Sequence, residues 1–152
     1  MDMTITTTSK TLEQVLNTQI ANWQLLYTKL HNFHWYVKGN HFFTLHAKFE
    51  ELYQEAGEHV DELAERLLAI KGKPAATMAE YLKLASIKEA AYNENANQMV
   101  TAIVNDFKTI MQELKEGMEI AGAAEDEATS DMLLGILSGL DKHVWMLEAF
   151  LG

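Results

Sequence analysis

Apolar side chains recur every three or four positions along nearly all of the 152 residues, and only one proline interrupts them. That period is helical, and no segment sustains the alternation that a half-buried strand needs. The first segment carries Leu12, Val15, Leu16, Ile20, Trp23, Tyr27, Leu30 and Phe33. Thr11 and Gln14 suit a capping box at its start, and it is expected to end near Gly39 and Asn40. The second carries Leu45, Phe49, Leu52, Tyr53, Ala56, Val60, Leu63, Leu67 and Leu68, and stops at Gly72 with Pro74 just beyond. Thr77 and Glu80 cap a short helix to about Leu84. Ser86 and Glu89 form another box, from which a long helix is expected through Tyr92, Met99, Ile103, Phe107, Ile110 and Leu114, weakening at Gly117 and Gly122. A last helix starts near Asp126 and carries Met132, Ile136, Leu140, Val144, Leu147 and Leu151.

Four long helices and one short one predict an all-α, single-domain four-helix bundle over residues 1–152, with residues 1–10 as a flexible N-terminal tail. The first two helices share a short turn and should be antiparallel neighbours. The link from the second to the third holds the short extra helix and is long enough to cross the bundle. One such crossover marks ferritin-like bundles rather than simple up-down ones.

Composition narrows the chemistry. Without cysteine there are no disulfides, thiolate metal sites or thiol nucleophiles. No apolar run is long enough to span a membrane and the N-terminus has no apolar leader core, so a cytoplasmic protein is expected. The net charge is −10. Residues 1–88 hold 9 basic and 10 acidic side chains, and residues 89–152 hold 3 and 12. No basic patch suits nucleic acid, whereas cations are attracted.

Five residues then stand out: His34, His46, Glu50, Asp61 and Glu65. His46 and Glu50 share a helix face at i,i+4, as do Asp61 and Glu65, and His34 lies across the short turn from His46. Imidazoles with carboxylates suit Fe(II) and related divalent metals. Glu50 and Asp61 are separated by about 16 Å along a straight helix, so one chain cannot close both pairs on one ion. Eleven residues are only about 20° from whole turns, so both pairs point the same way. An antiparallel copy of the helix across a two-fold axis would set positions 46 and 50 of one chain opposite 61 and 65 of the other. Ala56 and Gly57, at the midpoint, allow close approach. Taken alone, Asp61 and Glu65 read as a solvated face; the pattern is specific only as a whole.

With these residues in view, the sequence closely resembles the Dps-type mini-ferritins, in the branch that oxidises iron without binding DNA. The resemblance covers nearly the whole chain. It rests on His34-Trp35, Gly39, Phe42, His46, Glu50, Asp61, Glu65 and Arg66, and on the closing Asp141–Leu151 segment. It implies a homododecameric shell that binds Fe(II) at two-fold interfaces, two irons per site. It also implies a ferroxidase, which oxidises that iron with hydrogen peroxide and stores ferric oxide inside, protecting the cell from oxidative damage. His34, His46 and Glu50 would come from one subunit, and Asp61 and Glu65 from its partner. Position 50 departs from the family, which most often has Asp there.

Other positions carry their own signals. Trp35 is a candidate electron donor when the site holds one iron, or a packed interface aromatic. His31 is placed to orient a ligand, His41 and His59 are expected on the surface, and His143 as a structural hydrogen-bond partner. Asp126, Glu127 and Asp131 resemble the family's acidic three-fold pore, although Asp126 also reads as a helix cap. DNA compaction is the rival function, and residues 1–11 offer only Lys10 for it, so no DNA binding is expected. A metal-free helical scaffold is the third reading, and the five-residue spacing opposes it.

Overall fold

A computed structural model describes residues 10–152. Apart from Lys10, the expected flexible tail lies outside the described residues. Five helices follow in order: α1 (Leu12–Tyr36), α2 (Phe42–Ala69), α3 (Met78–Leu84), α4 (Ala96–Ala123) and α5 (Glu127–Leu151). Among the described residues there is no strand, and none of the helices is long and apolar enough to cross a membrane. Two hairpins, α1–α2 and α4–α5, pack through α1 against α4, and α3 in the crossover lies on α1. Trp23, Phe33, Phe49 and Phe107 fill the middle together with Leu16, Leu26, Leu30, Leu52 and Leu63.

The ends of the helices follow local chemistry. Thr11 and Gln14 form the expected capping box, Thr77 caps α3 through the Glu80 amide, and Asp126 caps α5 through the Thr129 amide. After α2 the left-handed residue is Lys71 (φ 73°), not Gly72. Gly72 is needed for a different reason. A Cβ there would run into the Leu67 side chain and come within 2.9 Å of Glu13 Oε1.

Three expectations are corrected. α1 ends at Tyr36 rather than near Gly39 and Asn40, because Val37 is already extended (ψ 141°). Helix α4 runs through Gly117 and Gly122 without a break to Ala123. It starts at Ala96 under an Asn95–Gln98 capping box, not at Ser86. Residues 85–95 are held open by α1. Asn22 Oδ1 accepts from the Ser86 amide at 2.8 Å and Asn22 Nδ2 donates to Ser86 Oγ at 2.9 Å. Lys29 Nζ donates to the Lys88 carbonyl at 2.6 Å. Backbone groups committed in this way cannot join a helical ladder. Further along the crossover, Asn17 accepts from the Ala75 amide and donates to the Lys73 carbonyl.

Candidate metal centre

His34 sits in the last turn of α1 and His46 in the first turns of α2. The short turn through Gly39 (φ 108°) folds one helix back on the other, so the two imidazoles stack with centroids 3.7 Å apart and planes 14° apart. Each ring bonds the other residue's backbone: His34 Nδ1 lies 2.6 Å from the His46 carbonyl oxygen, and His46 Nδ1 lies 2.8 Å from that of His34. A carbonyl only accepts, so both Nδ1 atoms carry the hydrogen and both Nε2 lone pairs are left for a cation. Backbone partners on the far nitrogen are how metal-binding imidazoles are usually oriented.

Glu50, one turn beyond His46, places Oε1 3.9 Å from His34 Nε2. Phe42 stacks on His46 from the other side, with centroids 4.9 Å apart. Tyr53 meets the His34 ring edge-on and stacks flat on His31 at 3.6 Å. Burial, then the Glu50 carboxylate, push the Tyr53 hydroxyl above its ordinary range, so it stays protonated at neutral pH. His31 Nδ1 is tied to the Tyr27 carbonyl at 2.7 Å. Trp35 is 66% exposed and packs beside His31.

Asp61 and Glu65 lie farther along the same unbroken helix and are exposed. Among the described residues neither forms a hydrogen bond or ion pair. His34, His46 and Glu50 are therefore brought together within one chain, and the two carboxylates are not brought to them. Residues 13–152 match the family model of the ferritin-like domain. DNA protection during starvation protein 2 of Bacillus anthracis is 62% identical over 94% of this chain and 98% of its own. The chain belongs to the ferritin-like family, among the Dps proteins. The crystal structure of a Dps protein from Bacillus brevis superimposes with a TM-score of 0.92 at 59% identity, covering 93% of this chain and 95% of that one. The structure of Dps from Listeria innocua soaked with zinc gives 0.90 at 43% identity, covering 93% and 96%.

In this Dps chain the acidic residues at the start of α5 divide in two. Asp126 is occupied: its carboxylate accepts from the Thr129 amide and hydroxyl and from Arg66 Nη2 at 2.9 Å. The Thr129 hydroxyl bond, supported by Arg66, holds its carboxyl below the usual range. Glu127 and Asp131 are exposed. His59, expected on the surface, is half-buried and packs its ring 4.5 Å from that of Trp23. His143 takes the expected structural bond, to Glu55 at 3.0 Å. Sequence spacing does not reveal the reciprocal histidine bonds, the Tyr53 stack or the role of the Glu55–His59 face of α2. An i,i+4 pair of a carboxylate and an imidazole was the available signal for the last.

Proposed function

We propose that this Dps protein is a cytoplasmic ferroxidase that detoxifies and stores iron. Its Fe(II) sites form between subunits, two irons to a site, from His34, His46 and Glu50 of one chain and Asp61 and Glu65 of its two-fold partner. The observation that carries this is the pair of locked imidazoles with free Nε2 atoms, beside Glu50 but well short of the exposed Asp61 and Glu65. Half a site with its complement about 16 Å away on the same straight helix is completed by a second, antiparallel copy. Exposed Trp35, Leu68, Leu134 and Trp145 offer apolar surface for such contacts. A homododecameric shell with Glu127 and Asp131 at its acidic pores is the assembly that fits the family.

Iron is the substrate here. Two Fe(II) each give one electron to hydrogen peroxide; the O–O bond breaks, and with two protons two waters form, leaving two Fe(III). Keeping both electrons at one site avoids releasing a hydroxyl radical. Hard anionic oxygens at Glu50, Asp61 and Glu65 favour the higher iron charge. Trp35, exposed beside His31, is suited to supply an electron when one iron is absent. The test is peroxide-driven Fe(II) oxidation under anaerobic conditions. Two irons should be oxidised per peroxide, and the Asp61→Asn, Glu65→Gln double variant should lose at least 100-fold in rate while still assembling. Oxidation at the wild-type rate in that variant would refute the assignment.

A further inference from the structure

The α2–α5 seam carries a second group of ligand-type side chains, separate from the interface set. Glu51, Glu55 and His143 each place one ligating atom within 4.8 Å of the other two. Glu51 and Glu55 are one helical turn apart on α2, and His143 reaches across from α5. Metal–ligand bonds of about 2.0–2.2 Å let one ion bridge atoms up to about 4.3 Å apart, so small rotamer changes bring all three onto one cation. Glu51 must leave Lys48, its partner at 3.0 Å, but the Glu51 side chain is 55% exposed, and a pair with one arm in solvent holds little energy.

A small cavity of about 100 Å³ adjoins the group inside the bundle, walled by Trp23, Glu55, His59, Phe107, Gly139 and His143. Two buried polar atoms on these walls have no hydrogen-bond partner among the described residues: Trp23 Nε1 and His143 Nδ1. Trp23 is 2% exposed, and its indole N–H can only donate, so it asks for an acceptor in this space. Along α5 the wall is kept low, since a Cβ on Gly135 or Gly139 would meet nothing within 4 Å. A space of this volume has room for waters, and its walls carry polar atoms to hold them.

We propose that Glu51, Glu55 and His143 bind one first-row divalent cation per chain, with waters in the adjoining cavity completing its coordination. His143 Nε2 now lies 3.0 Å from both Glu55 oxygens. The cation takes the place of the Nε2 hydrogen, and the imidazole carries its proton on Nδ1 instead. Cavity waters then accept from His143 Nδ1 and Trp23 Nε1, the two atoms otherwise orphaned. Two carboxylates, an imidazole and no thiolate select Zn(II), Co(II), Mn(II) or Fe(II) over soft metals. His59, one turn past Glu55, adds a second nitrogen at the cavity wall. Unlike the interface set, this site is complete within one subunit.

The experiment uses the assembled full-length protein carrying Asp61→Asn and Glu65→Gln, which removes half of the interface set. Co(II) binding is followed by equilibrium dialysis and visible absorption, and Zn(II)-soaked crystals by anomalous scattering. The expected result is one Co(II) per chain in this background, and a zinc peak within bonding distance of Glu55 and His143. Adding Glu55→Gln, which still accepts the His143 hydrogen bond, should weaken binding at least ten-fold. Glu51→Gln, on an exposed side chain, should weaken it several-fold and decides the matter if the Glu55 variant fails to assemble. No retained cation, a zinc peak elsewhere, or affinity unchanged by both substitutions would overturn the proposal. Loss of the interface ions is read separately, as the difference between the wild type and the background variant.

Discussion

Lys29 shows how much a single buried charge can organise. Its ammonium is 2.7 Å from Asp106 on α4, with the two side chains 6% and 13% exposed, and it also holds the Lys88 carbonyl. Burial raises the Asp106 carboxyl, and Lys29 opposes that shift. Lys29→Met would strand a buried carboxylate and free the crossover, so a loss of about 3 kcal/mol is expected in chemical denaturation. Asp126 carries the opposite sign. Its folded pKa is depressed, so its contribution is fully present above the unfolded value and is lost as pH falls through the folded one. Asp126→Asn keeps a capping oxygen but not the charge facing Arg66. The variant should therefore be less stable than wild type at pH 7, with the gap closing below pH 4, as unfolding midpoints at both pH values would show.

At the level of elements, the α1–α2 hairpin is the unit that brings His34, His46 and Glu50 together. Its turn brings the end of one helix beside the start of the next, and the two histidines then lock each other through backbone carbonyls. The other end of α2 depends on a close approach instead. Leu67 is fully buried and lies against the Cα of Gly72. Gly72→Ala must push that leucine into the core, which costs about 1–3 kcal/mol and should lower the melting temperature, although the left-handed residue is Lys71. The helical period marked α1, α2, α4 and α5 in the sequence because each buries one stripe against the others. The start of α4 was misread for a physical reason. Ser86 and Glu89 have the spacing of a box, but two polar side chains of α1, Asn22 and Lys29, bind that stretch of backbone instead.

For the whole molecule, charge decides partners. A chain of net charge −10 is a polyanion that repels phosphate and draws in cations, the more so when repeated in the proposed shell. No DNA shift is therefore expected in a gel at pH 7 and low salt without divalent metal; tight binding under those conditions would contradict this reading, whatever relatives named for DNA protection do.

The sequence alone determined the helical class, the crossover topology, the caps at Thr11, Thr77 and Asp126, and the separation of Glu50 from Asp61. These follow from local periodicity and from the rise of a helix. Tertiary structure alone decided which nitrogen of His34 and His46 stays free, that Asp126 is taken by Arg66, and that Glu55, His59, His143 and Trp23 surround one cavity. Those facts depend on side chains from different helices meeting in space, and no spacing along one helix encodes which face of another it will touch.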